Sequence, residues 1–144
     1  MKRVLILLFT AVVLSSNDCH KNDPLCGNDS HEALTIKNNS NKRISYAFYG
    51  YYPDTTIYGD HSPAYYSQSF IISPGSSHTS VAGWAGCFES VFTHNTKQWI
   101  CFFDEDSVEQ ISWETIKLTN RGVLEKRQVT LDYLKTNNFT ITYP

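Results

Sequence analysis

The sequence predicts an α+β fold that is mainly antiparallel β, either a sheet or a decorated β-sandwich, with two or three short helices. Short segments that alternate apolar and polar residues predict strands, and clusters of Asn, Gly, Pro and Ser between them predict turns. No segment is long enough to supply the helical crossovers that parallel strands need. Aromatic residues make up 14% of the chain, and Tyr and Phe favour half-buried strands.

The first two strands are predicted on either side of an Asn-rich turn. The first strand is "LTIK" at 34–37, and the turn is "NNSN" at 38–41, because Asn tolerates the left-handed conformation. The second strand begins at Ile44, and the two strands are expected to form a hairpin. A period of two places three residues on the core face: Ile44, Tyr46 and Phe48. The same period leaves Tyr49 and Tyr51 on the second face of the strand.

The middle of the chain is predicted to add two strands, a helix and a buried strand. The segment "SPGS" at 73–76 is a turn candidate between two further strands, which are expected to pair as a second hairpin. An amphipathic helix of about two turns is predicted by apolar residues at i, i+3, i+4 and i+7, which are Trp84, Cys87, Phe88 and Val91. The segment "QWICFF" at 98–103 is apolar on both faces, which is typical of a buried strand.

The last third of the chain is predicted to hold a helix, a more exposed strand, a second helix and a final strand. Ser107 and Gln110 form a capping-box pattern, and Gly122 is placed to end the helical stretch. The segment at 123–129, "VLEKRQV", is the exposed strand, and Thr130 is the expected N-cap of the helix "LDYLKT". Three residues of the final strand are expected to face inwards: Phe139, Ile141 and Tyr143.

Residues 1–18 have the pattern of a signal peptide. Two basic residues precede the apolar run "VLILLFTAVVL" at 4–14, which is too short to span a bilayer but typical of a signal h-region. Cys19 follows where a bacterial lipoprotein carries its acylated first residue, so we predict lipidation at Cys19. The alternative is cleavage near Ser15 or Ser16, which would release a soluble protein.

The mature chain is predicted to begin with a tether and to continue as one domain. Residues 19–32 are polar and rich in turn residues, which indicates a tether, and residues 33–144 are expected to form a single globular β-rich domain. Export to an oxidising compartment permits disulfides. If Cys19 carries the lipid, three cysteines remain, which is enough for one bridge: Cys26, Cys87 and Cys101.

Composition and motifs argue against nucleic-acid binding and against catalysis. The formal net charge is −2 and the sequence has no basic stripe, whereas nucleic-acid binding needs a positive footprint. The sequence contains no H-E-x-x-H, G-x-S-x-G or C-x-x-C motif and no Gly-rich phosphate loop. The carboxylates of "DED" at 104–106 are adjacent, so we expect a solvated turn at a helix N-terminus. We therefore predict no enzyme activity, no cofactor and no metal site.

The candidate ligand platform consists of Tyr49 and Tyr51 on the second face of the second strand. Sugars stack on exposed rings, and Tyr is common at recognition surfaces because it is amphipathic and loses little entropy. The alternative is that these rings cover the sheet against the loop at 53–66, because a small domain needs such cover. Exposed, coplanar rings would favour glycan binding, and buried rings would favour packing.

Several motifs occur in an order that resembles a known family. They are "IKNNSNKRISYAF", "YYPDT", "GCFESVF", "WICFFDED", "SWETI" and "VLEKRQVTLDYLKTNNFTITYP". The chain resembles, from about Cys26 to Pro144, a family of small lipoproteins of Gram-negative anaerobes for which no activity is known. Many of its members end in a similar "NWTITYP" tail, and Phe139 stands where they have Trp.

The resemblance implies a lipid anchor and singles out two cysteines. Cys26 and Cys87 match the recurring cysteines of the family and Cys101 does not, so we expect a Cys26–Cys87 bridge and a buried free thiol at Cys101. The competing pairing is Cys87–Cys101, which would join the helix to the following strand.

The function predicted on this basis is that of a non-catalytic envelope lipoprotein with a binding or structural role. Its partners would be a membrane, through an N-terminal lipid, and an unknown protein or glycan ligand. The outer membrane is the expected location, and a soluble periplasmic or secreted protein is the alternative. The alternative function is that of a surface glycan-binding accessory protein that uses exposed tyrosines.

Overall fold

The fold is described by a computed structural model for residues 26–49, 62–82, 86–94 and 97–144. These residues form seven strands and five short α-helices, which confirms the predicted α+β class and its mainly antiparallel character. The predicted number of helices, two or three, is too low, because single helical turns such as Pro63–Tyr66 leave no clear periodic pattern in the sequence. The strands are β1 (Ala33–Asn38), β2 (Ile44–Tyr49), β3 (Ile71–Ile72), β4 (Ser77–Val81), β5 (Gln98–Asp104), β6 (Val123–Val129) and β7 (Thr140–Tyr143). The α-helices are α1 (Pro63–Tyr66), α2 (Phe88–His94), α3 (Glu105–Val108), α4 (Trp113–Thr119) and α5 (Leu131–Thr136).

The strands form two sheets. The three-stranded sheet has the order β4-β1-β7, and the four-stranded sheet has the order β3-β2-β5-β6. All neighbouring strands are antiparallel except β1 and β7, which are parallel. Tyr46 on β2 hydrogen-bonds to His78 on β4, and the ring of Phe102 on β5 lies 5.0 Å from that of Tyr143 on β7. These contacts place the inner faces of the two sheets against each other.

The main core lies where the two sheets meet. Its fully buried members include, from the three-stranded sheet, Leu34, Ile36 and Ile141, and from the four-stranded sheet, Ile44, Tyr46, Ile100 and Phe102. Helices α2 and α5 add Phe92 and Leu134 to the same cluster. The predicted inward positions of β2 and of the last strand therefore belong to this core, with Phe48 and Tyr143 packed at its margin.

The two predicted hairpins are wrong, because each turn joins different sheets. β1 pairs with β4 and β7, whereas β2 pairs with β3 and β5. The chain likewise leaves β3 in one sheet and enters β4 in the other at the turn of residues 73–76, where Gly75 has a φ of 71°. Alternation of apolar and polar residues identifies a strand but not its partner, so the pattern could not separate a hairpin from a corner.

The helical segment after β5 begins and ends differently from its prediction. Ser107 lies inside α3, and the cap is Ser112, whose hydroxyl accepts from the Thr115 N–H at the start of α4. Asn120 ends α4 in the left-handed conformation, with a φ of 56°. The capping-box pattern at Ser107 was misleading because any Ser three residues before a Gln satisfies it.

Of the two other predicted helices, one has the expected N-cap and the other begins later than expected. The Thr130 cap is confirmed, because its hydroxyl accepts from the Tyr133 N–H. The helix predicted around Cys87 and Val91 exists as α2, but it begins at Phe88. Trp84, the first residue of the predicted stripe, lies outside the described residues.

Candidate functional site

The N-terminal segment is joined to the domain by the disulfide Cys26–Cys87. The two sulfur atoms are 2.04 Å apart and the two Cα atoms 5.7 Å apart. This confirms the pairing that the family resemblance implies, and the competing Cys87–Cys101 pairing is wrong. Cys101 is a buried free cysteine on β5, as expected. Burial raises the pKa of its thiol to about 11, against a smaller opposing effect of Lys126, so this thiol is not an activated nucleophile.

A second attachment lies five residues after Cys26, between His31 and Glu89 of helix α2. The His31 N–H donates to Glu89 Oε2 at 2.9 Å, and His31 Nδ1 lies 2.9 Å from Glu89 Oε1. The Phe88 N–H donates to the His31 carbonyl at 2.8 Å. Helix α2 therefore binds the N-terminal segment through both main-chain and side-chain hydrogen bonds. The His31 ring also stacks on Phe139, with ring centroids 3.7 Å apart.

The electrostatics of this attachment favour an ionised Glu89. Burial acts to raise the pKa of Glu89, but the hydrogen bonds from the main chain and ring of His31 together bring that pKa below its usual value. Residues 26–32, predicted as the second half of a tether, are therefore held against the domain by a disulfide and by the hydrogen bonds between His31 and Glu89. Sequence analysis missed His31 and Glu89, because 58 residues separate them and no motif joins them.

The candidate tyrosine platform is not exposed at Tyr49. Tyr49 is 9% exposed and belongs to a second apolar cluster with three other buried residues: Cys101, Phe103 and Ile116. Helix α4 contributes Ile116 and the partly buried Trp113 to this cluster, so it covers the sheet face that the sequence left open. The burial of Tyr49 therefore favours the packing alternative for this residue. Tyr51 lies outside the described residues.

The carboxylates at 104–106 occupy three different environments. Asp104 stands at the N-cap position of α3, and its contact with Lys42 Nζ at 2.7 Å is the main cause that lowers its pKa. Asp106 is exposed and pairs with Arg43. Glu105 is only 1% exposed, so the prediction of a solvated turn is wrong for this residue.

Glu105 is a buried carboxylate beside a buried hydroxyl. Burial raises the pKa of Glu105, and the nearby Ser45 hydroxyl opposes that effect. Neither Glu105 Oε2 nor Ser45 Oγ makes a hydrogen bond of standard geometry. Ser45 lies on the same face of β2 as Tyr49, so this polar pair lies next to the second apolar cluster. Nothing in the sequence distinguished Glu105 from its two neighbours.

Among residues 26–49, 62–82, 86–94 and 97–144, no group of three or more His, Cys, Asp or Glu side chains is placed to hold a metal ion. Cys19 lies outside these ranges. In the same ranges, no helix is long and apolar enough to cross a membrane.

Three comparisons with known proteins found no match for this chain. No protein-family model matches it, and neither a curated protein nor a solved structure is significantly similar to it.

Proposed function

We propose that this chain is a non-catalytic envelope lipoprotein, exported through its N-terminal signal and anchored by a lipid on Cys19. The domain would serve a binding or structural role at the membrane surface. The observation that carries the proposal is the disulfide Cys26–Cys87, because disulfides persist in exported proteins and are rare in reducing compartments. The signal pattern of residues 1–18 and this disulfide of the folded domain are both typical of exported proteins.

The proposed anchor and the first attachment point are close together in the chain. Cys26 comes seven residues after Cys19, and a chain of that length spans at most about 25 Å. Residues 26–32 are held by the disulfide and by His31, so only seven positions of chain separate the proposed lipid from the held segment. A domain anchored in this way would stay within about the thickness of one bilayer from the membrane surface.

A non-catalytic role is supported by the state of the most reactive side chains in the described residues. The Cys101 thiol is buried with a raised pKa, which disfavours the thiolate that acts as a nucleophile. Glu105 is only 1% exposed, so its carboxyl group is not open to a substrate.

The glycan-binding alternative loses one of its two named residues. Tyr49 is packed under helix α4 and cannot offer its ring face to a sugar. Tyr51 lies outside the described residues, so this alternative keeps no support from the described part of the fold.

The anchor is tested by expressing the full chain and its Cys19→Ala variant in a Gram-negative host that acylates lipoproteins. We expect the wild-type chain in the membrane fraction, because a multiply acylated cysteine contributes about 0.8 kcal/mol per buried CH₂ group. The Cys19→Ala chain should move to the soluble fraction. The matched control is Cys101→Ala, which removes a cysteine that lies far from the N-terminus and should leave membrane association unchanged. Equal membrane association of the wild-type and Cys19→Ala chains would contradict the proposal.

A further inference from the structure

The two sheets have four edge strands, and three of these carry a feature that hinders the addition of another strand. β3 has only two residues. β6 has a register shift opposite Phe102 and Phe103 and carries three charged residues in a row: Glu125, Lys126 and Arg127. On β7, the Thr142 carbonyl accepts from Arg127 Nη1 at 3.0 Å. Shortness, bulges, charges and a covered backbone are the usual protections of an edge.

β4, the fourth edge strand, has none of these protections. Its sequence from Ser77 to Val81 is "SHTSV", five residues without Asp, Glu, Lys, Arg or Pro. It pairs with β1 in an unbroken register, and no strand lies on its other side among the described residues. Ser77, Thr79 and Val81 are all exposed, and the Val81 side chain is 70% exposed.

The hydrogen bonds to β1 show which backbone groups of β4 point towards the open side. At the two ends of the pairing, Ala82 N–H donates to the Glu32 carbonyl, and Asn38 N–H donates to the Ser76 carbonyl. In an antiparallel pair the bonding residues alternate, so the even-numbered residues of β4 face β1. The N–H and C=O groups of the three odd-numbered residues therefore point away from the sheet: Ser77, Thr79 and Val81.

β4 is also held in place from the inner side of the sandwich. The Tyr46 hydroxyl lies 2.7 Å from His78 Nδ1, and the Phe70 ring packs edge-on against both of these rings. A strand fixed in this way loses little freedom when a second strand is added, which favours binding at its open edge.

We propose that two copies of the chain pair through this edge, β4 against β4 in the antiparallel sense, about a twofold axis at Thr79. The odd-numbered residues are self-complementary in that register, because Thr79 lies opposite the second copy's Thr79 and Ser77 lies opposite the second copy's Val81. The three outward pairs would form about six main-chain hydrogen bonds. No charged side chain of β4 opposes another, and a Thr–Thr pair across strands is favourable. The two three-stranded sheets would become one six-stranded sheet.

A second copy fits this edge better than an unrelated strand does. Isologous pairing is the commonest way in which soluble chains associate, and it places each exposed Val81 beside the second copy's Ser77 instead of water. A single strand pair buries less than the 1,200–2,000 Å² typical of stable interfaces, so we expect a weak dimer, with a dissociation constant on the order of 10–100 µM.

Cysteine cross-linking tests the register directly in the exported full chain. The Thr79→Cys variant should form an intermolecular disulfide, because directly opposed residues have Cα atoms about 5.5 Å apart. The matched control is Val81→Cys, whose twin in the second copy would lie about 13 Å away along the strands. Non-reducing gels should show a dimer for Thr79→Cys alone. Equal cross-linking of both variants, or of neither, would overturn the proposed pairing.

Charge substitution tests the same contact in solution. Thr79→Lys and Thr79→Glu should each weaken self-association at least about tenfold in sedimentation experiments, because like charges are then directly opposed. An equal mixture of the two variants should recover dimers. The control is Thr140→Lys, on β7 at the other edge of the same sheet, which should dimerise like the wild-type chain. A wild-type chain that stays monomeric at about ten times the expected dissociation constant would contradict the proposal. A mixture that does not recover dimers would also contradict it. Binding of an extended peptide to β4, without self-association of the chain, would show that the edge takes a different partner.

Discussion

The Asn38 side chain donates from Nδ2 to the Ile72 carbonyl at 3.0 Å and so joins the two corners at which the chain crosses between sheets. The same amide group donates to the Lys42 carbonyl at 2.7 Å, and its Oδ1 accepts from the Ser40 N–H at 3.0 Å. Asn38 is completely buried. A single side chain thus makes hydrogen bonds to the main chain of the turn after β1 and to the end of β3.

Replacement of Asn38 should destabilise the domain substantially. Asn38→Ala leaves the buried Ile72 carbonyl and the Lys42 carbonyl each with one partner fewer, and we expect a loss of about 2–3 kcal/mol in the free energy of unfolding. Urea denaturation followed by circular dichroism measures the change. Asn39→Ala, at the exposed neighbouring position, should cost less than about 0.5 kcal/mol. Equal effects of the two substitutions would show that the Asn38 contacts do not hold the corners.

Replacement of Glu105 should stabilise the domain at neutral pH. Burial raises the pKa of Glu105 in the folded protein above its ordinary value of 4.5. Its contribution to stability is therefore fully present below about pH 4.5 and is lost as the pH rises through the folded pKa. Glu105→Gln removes this loss, so its urea midpoint should exceed that of the wild type at pH 7.5.

The pH dependence separates this explanation for Glu105 from a general effect of the amide. The advantage of Glu105→Gln should shrink as the pH is lowered towards 4. The control Glu32→Gln, at an exposed position, should change the free energy of unfolding at pH 7.5 by less than about 0.5 kcal/mol. A Glu105→Gln chain that is less stable than the wild type at pH 7.5 would mean that the carboxylate has a partner that stabilises its charged form.

Loss of the Glu89 carboxylate should loosen the N-terminal segment. The pKa of Glu89 is lowered in the folded protein, so its stabilisation is present above about pH 4.5 and is lost as the pH falls through the folded pKa. Glu89→Gln should reduce stability at pH 7 by about 1 kcal/mol and flatten the acid limb of the stability curve. The exposed Glu114, which pairs with Lys117 on the surface of α4, provides the control Glu114→Gln, whose effect should be near zero. An unchanged acid limb in Glu89→Gln would argue against the contact with His31.

Removal of the disulfide should have the largest effect of these changes. The bridge closes a loop between residues that are 61 positions apart, which corresponds to about 4 kcal/mol in the chain-entropy account. The double variant Cys26→Ala/Cys87→Ala should melt at a markedly lower temperature than the wild type, and its melting should not respond to a reducing agent. Cys101→Ala should keep the response to the reducing agent. A wild-type chain with the same melting temperature in both redox states would contradict a stabilising bridge.

The local features of this fold follow from the sequence, and the long-range pairings do not. Periods of two located most strands, including the inward Ile44 and Ile141, because the pattern reflects which face is buried. The partner sheet of β2 could not be predicted, because it depends on the buried Asn38, which looks like any other turn Asn in a sequence. The burial of Glu105 and Tyr49 also depends on the helices α3 and α4.

The measurement that tests the central proposal most directly is mass spectrometry of the full chain purified from the membrane fraction, digested without reduction. The account predicts an N-terminal peptide that begins at Cys19 and carries acyl chains, together with a disulfide-linked peptide pair that contains Cys26 and Cys87. A mature N-terminus at or before Asn17 with an unmodified Cys19 would contradict the lipid anchor, and free thiols at Cys26 and Cys87 would contradict the oxidising location on which the proposal depends.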